Sequence, residues 1–189
     1  MPPHHTRRAP SPIVALAGAF AVAGLLAGCG GEGPSVSDAY RELMQRPDIE
    51  QAQEIYTTML TTIRERLTAE LGRAWKQGDD LSGSGCGNGY PGLDADGEIR
   101  RLPRWDSPGN LPDAQWPRAQ ELVGQIAATY GFNPAPKVFK DAPSNHDVVY
   151  RKSDGALLNF GTGKNTSVRV DTGCHLTVEA HRRGSPSKP

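Results

Sequence analysis

An apolar run at residues 13–27, closed by Leu26-Ala27-Gly28-Cys29, separates the start of this chain from anything that can pack as a globular core. As a helix the run would measure about 22 Å, short of the roughly 30 Å of hydrocarbon that a permanent span must cross. Gly18, Gly24 and Gly28 loosen it, and Pro10 and Pro12 break the chain ahead of it. With the basic start His4-His5-Thr6-Arg7-Arg8 in front and small residues before the cysteine, it has the layout of a cleaved export signal.

The four residues 26–29 resemble the lipobox of bacterial lipoproteins. That resemblance implies diacylglyceryl transfer to the Cys29 sulfur, cleavage after Gly28, and a mature protein held at the extracytoplasmic face of the cell membrane by its acyl chains, palmitate among them. A thiol suits the transfer because its thiolate is a nucleophile. Two chains hold firmly where one is marginal. The domain layout expected is a signal peptide at 1–28, the lipidated cysteine with a glycine-rich spacer at 29–36, one folded domain at 37–180 and a disordered tail at 181–189.

Removing residues 1–28 from 189 leaves 161, enough for one domain with a real core. Arg7 and Arg8 leave with the signal and no acid does, so 21 basic residues become 19 against 21 acidic ones. Such a balance gives no draw toward nucleic acid, which is excluded as a partner.

Cys86 and Cys174 are the cysteines left after Cys29. In an exported domain an even pair reads most simply as a disulfide. The alternative makes Cys86 a nucleophile with His146, His175 or His181 as its base.

Apolar residues recur at helical spacing from Ile49 through Leu67, with Pro47 at the expected first position and Gly72 as the stop. A short helix capped by Ser37 precedes it, and Trp75 opens an extended segment packed under it. The run Ser82-Gly83-Ser84-Gly85-Cys86-Gly87-Asn88-Gly89 is too rich in glycine for a regular element and reads as a loop. One strand is expected at 98–105 and a second amphipathic helix at 117–130. From Lys137 the period changes to two, with strands expected around 138–139, 146–152, 156–160, 166–171 and 174–178. The fold class is α+β: a two-layer sandwich of an antiparallel sheet with two main helices on one face.

The lipobox, the long helix ending near Leu67 to Trp75, Cys86, the helix end Ala127-Ala128-Thr129-Tyr130-Gly131 and the strand Val168-Arg169-Val170-Asp171-Thr172-Gly173-Cys174 together resemble the LppA-type lipoproteins of mycobacteria. The resemblance spans roughly residues 40–178. It implies a cell-envelope lipoprotein with one disulfide and no assigned chemistry.

Sharper motifs fail. Asp94-Ala95-Asp96-Gly97-Glu98-Ile99 resembles the middle of a calcium loop, but that alignment puts Gly92 and Pro103 at the first and last ligand positions. Gly161-Thr162-Gly163-Lys164 lacks the spacing of a phosphate loop and reads as a turn. Ser82 and Ser84 sit in no nucleophile elbow, and His146, His175 and His181 have no zinc spacing and read as surface or edge-strand residues. No metal, cofactor or catalytic residue is expected. The favoured function is a tethered binding or scaffolding module with an envelope protein or lipid as partner. A carrier of lipid or a small apolar ligand is the alternative. An envelope hydrolase, with Asp94, Asp96, Asp147 and Asp171 converging in space, is less favoured.

Overall fold

Asp48 starts the longest element. Its side chain accepts from the Gln51 N–H while the Gln51 side chain accepts from the Asp48 N–H, a capping box that puts Pro47 just outside the helix rather than at its first position. The helix, α2, runs Ile49–Leu71 and stops where Gly72 takes the left-handed conformation (φ 66°), which costs glycine nothing. Before it comes α1, Val36–Leu43, capped by Ser35 rather than Ser37. The structure is a computed structural model and describes residues 35–188; the signal segment, Cys29 and the spacer as far as residue 34 lie outside them.

The described residues form nine strands in one sheet. In chain order they are β1 (Lys76–Gln77), β2 (Ser82–Gly85), β3 (Gly97–Arg101) and β4 (Trp105–Pro108), then, after α3 (Trp116–Thr129), β5 (Lys137–Ala142), β6 (Asn145–Arg151), β7 (Leu157–Thr162), β8 (Asn165–Asp171) and β9 (His175–Leu176). A last helix, α4, spans Val178–Arg183. The main path is β1-β4-β8-β7-β6-β5, all antiparallel, with β3 joining β2, β8 and β9 beside it.

Period two decides which side of the sheet is dry. Val148 and Tyr150 on β6, Leu158 and Phe160 on β7, and Val168 and Val170 on β8 meet Tyr56, Met59, Leu60 and Ile63 of α2 and Leu122 and Val123 of α3 in one core. The result is the expected α+β sandwich, helices on one face. A smaller core at one end joins Ala39, Tyr40 and Leu43 of α1 to Leu93, Leu176, Ala180 and the two cysteines. Cys86 and Cys174 are bonded there, Cα atoms 5.4 Å apart. Gly97 has to be glycine, because a Cβ would lie 2.7 Å from the Cys86 sulfur.

Several local expectations are corrected. Residues 98–105 form two strands, since Pro103 between them has no N–H for a ladder. Ser82–Gly85, expected as loop, pairs residue for residue with β3; an exposed edge strand needs only backbone groups, which glycine also has. The strand expected at 174–178 ends after Leu176, because the Thr177 side chain accepts from the Ala180 N–H and starts α4. The tail expected to lie free from His181 instead completes that helix and returns to Asp96. His146, expected at the surface or an edge, is 8% exposed on the inner strand β6, while His175 does lie on an edge strand, β9, though only 2% exposed.

Candidate binding face

The side of the sheet away from α2 and α3 carries the complementary residues of the same strands. Asp147 on β6 lies opposite Gly161 on β7, which lies opposite Ser167 on β8, and Val149, Asn159 and Arg169 form the next row. Apart from the buried Val149 their side chains are polar or absent, and no helix packs on this face among the described residues. At its centre is a hollow of about 330 Å³, walled by Arg104, Asn145, Asp147, Asn159, Ser167 and Arg169 and floored at Gly161. A Cβ at Gly161 would come within 3.0 Å of the His146 carbonyl oxygen and 3.4 Å of Asp147 Oδ1, so this position is too crowded for a side chain and the floor of the hollow is backbone.

Charge in the hollow is balanced. Arg104 Nε donates to Asp106 at 3.0 Å, while Arg169 lies 3.6 Å from Asp171 and 3.8 Å from Asp79. Arg169 makes no side-chain hydrogen bond among the described residues, and its Nε is buried without a partner. Partial burial pushes the Asp147 carboxyl above its ordinary range, against the pull of Lys140.

The cysteine nucleophile requires a thiol that the Cys86–Cys174 bond occupies. The four aspartates do not converge on one centre: Asp96 holds Arg183, Asp171 pairs with Arg101, and Asp147 lines the hollow. Asp94 is exposed in the turn before β3. Ser82 and Ser84 are exposed on β2, and Gly161 to Lys164 end β7 and turn into β8. His146 stacks on Trp116 (ring centroids 4.9 Å apart, planes 12° apart), with Nδ1 2.7 Å from Asp141 and Nε2 3.1 Å from Asp113. His175 Nδ1 donates to the Pro47 carbonyl at 2.8 Å, and burial pushes its pKa down. His181 lies half-buried on α4. Among the described residues no group of His, Cys, Asp or Glu could hold a metal ion, and no helix is long and apolar enough to cross a membrane.

Asn145, Asn159, Ser167, Arg104 and Arg169 were not singled out by the sequence. The available signal was the alternate set Asn159, Gly161 and Ser167, Arg169 on two neighbouring strands, where a glycine replaces a side chain in an otherwise polar row.

The LppA profile, described as a lipoprotein confined to pathogenic Mycobacterium, matches residues 32–178. The chain belongs to the LppA family. Among solved structures, the lipoprotein LppA of Mycobacterium tuberculosis shares its fold with a TM-score of 0.68 at 16% identity, over 79% of this chain and 90% of that one. A DUF4853 family protein from Actinomyces odontolyticus is similar at TM-score 0.52 and 19% identity, over 71% of this chain and 72% of that one. No curated protein matches. LppA membership places the chain in a family of mycobacterial lipoproteins and assigns it no reaction.

Proposed function

We propose that this LppA-family protein is a non-catalytic binding module, tethered through a diacylglyceryl group on Cys29 at the extracytoplasmic face of the cell membrane, with the open side of its sheet as the binding surface. The observation that carries the reading is the asymmetry of the sheet: one side is dry and helix-covered, while the other gathers polar groups without hydrogen-bond partners around a hollow. The lipobox residues 26–29 and membership in a lipoprotein family support the tether.

The carrier reading would place a ligand between the layers. That space is filled by Tyr56, Met59, Ile63, Tyr150 and Phe160, each at most 1% exposed. For an apolar ligand there are surface grooves, one of about 230 Å³ beside Leu81, Leu102 and Trp105 and one of about 510 Å³ beside Pro47, Ile55 and Tyr130, and neither lies between the layers. A scaffold is therefore preferred over a carrier.

The test places a photo-crosslinking amino acid at Asn159 on the open face and, as a control, at Glu65 on the outer side of α2, in intact cells. A discrete adduct at Asn159 that is absent at Glu65 is expected. Equal labelling of both positions, or of neither, would contradict the reading.

A further inference from the structure

Elsewhere in this molecule, buried and half-buried polar side chains are mostly engaged with the protein. Arg46 holds two backbone carbonyls, Arg100 reaches Glu50, Gln53 and Glu98, and Thr162 bonds Leu111 and Thr166. The hollow on the open face differs. Half-buried Asn145, Asn159, Ser167 and Arg169 and the exposed Asp147 line it, and none makes a side-chain hydrogen bond to another described residue. Three are on neighbouring strands at fixed register, Asn159 opposite Arg169 and Asp147 one row away, so sheet geometry holds their spacing without help from each other.

Their chemistry selects the ligand class. Arg169 only donates, ionised Asp147 only accepts, and Asn145, Asn159 and Ser167 do both. An anion is disfavoured, because both guanidiniums already face Asp79, Asp106 or Asp171 and the unpaired Asp147 adds a further negative charge. An extended peptide that adds as a strand needs a free sheet edge, and β6, β7 and β8 under the hollow are paired on both sides. A neutral polyhydroxylated ligand fits, since each hydroxyl donates and accepts at once and neighbouring hydroxyls match the planar forks of amide, carboxylate and guanidinium. The hollow of about 330 Å³ above Gly161 has room for a sugar ring.

We propose that the hollow over Gly161 is a carbohydrate site, in which Asn159, Asp147 and Arg169 supply the directional hydrogen bonds and Asn145 and Ser167 complete the rim. This assignment rests on the reading of the open face as the binding surface.

Saturation-transfer NMR on the intact lipoprotein, held in a detergent without a sugar headgroup, tests it with methyl glycosides of glucose, galactose, mannose and arabinose as probes. Transfer to at least one glycoside is expected, with millimolar affinity. Asn159→Ala and Asp147→Ala should each weaken it roughly fivefold to tenfold. Both side chains lack protein partners, so the melting temperature should stay unchanged. No transfer to any of the four, or transfer that both variants leave intact, overturns the assignment. If the glycosides fail while the Asn159 photo-adduct persists, the face binds another class of ligand and only the carbohydrate assignment falls. Failure of both removes the binding-face reading as well.

Discussion

Arg183, the last residue of α4 and part of what reads as a tail, donates to the buried carboxylate of Asp96 at 2.5 Å. The Ser187 N–H and hydroxyl bond the same carboxylate, and the Tyr40 hydroxyl donates to the Ala180 carbonyl from the other side. The C-terminal segment thereby closes over the smaller core that contains the disulfide.

Burial pushes the Asp96 carboxyl up, but the Ser187 and Arg183 bonds outweigh it and hold it below the ordinary carboxylate range. Its folded pKa is thus lower than its unfolded value of about 3.9. The stabilisation is complete above that value and is lost as pH falls below it toward the folded pKa. Protection of the α4 amides, taken relative to their intrinsic exchange rate at each pH, should fall on acidification below about pH 4. In Asp96→Asn, protection there should already be low at neutral pH and change little with acid. A variant that tracked the parent at every pH would refute the clasp.

The disulfide closes a loop with a sequence separation of 88. Chain entropy alone assigns such a loop about 4 to 5 kcal/mol. For a domain of this size, Cys86→Ala with Cys174→Ala should lower Tm by roughly 10 °C, measured by calorimetry. An unchanged melting curve would contradict a stabilising bridge.

Gly173 is pressed against the β6–β7 turn: a Cβ there would lie 2.1 Å from the Asp154 carbonyl oxygen, and Arg46 ties that same oxygen to the Cys174 carbonyl. Gly173→Ala must therefore move backbone and should cost about 1 to 3 kcal/mol in denaturant unfolding. Gly89→Ala, with nothing within 4 Å of its Cβ, is the control and should be nearly silent.

His146→Ala removes a ring stacked on Trp116 and between two carboxylates. Asp113 and Asp141 are about half or more exposed, so the ion pairs add little and the lost packing dominates. A loss of about 2 kcal/mol is expected, with faster hydrogen exchange along β5. Unaltered protection of β5 would show that the ring does not hold that edge.

Cys29→Ala should move the protein from the membrane fraction to the soluble one while leaving its melting curve intact. Retention in the membrane fraction would count against the lipid tether.

The sequence exposed the parts of this fold that rest on local periodicity. Ile49 through Leu67 and Leu122 through Ala127 carried α2 and α3, and alternation from 146 to 171 carried the meander β6 to β8. What it hid was decided at long range. Ser82–Gly85 becomes a strand only because β3 offers it a ladder, and the segment after Leu176 becomes ordered only because Asp96 is waiting for Arg183 and Ser187. His146 is buried by Trp116, thirty positions earlier. The polar hollow escaped notice for a related reason: Asp147, Asn159 and Arg169 belong to three strands, and each alone looks like the wet side of an ordinary sheet.

The most direct test of a tethered module that binds through its open face is native, then denaturing, mass spectrometry of the lipoprotein extracted from the envelope, beside a variant carrying both Asp147→Ala and Asn159→Ala. Extra mass on the wild type that denaturation removes and the variant lacks is the predicted result. Bare protein in both, or an adduct that the variant keeps, would contradict it.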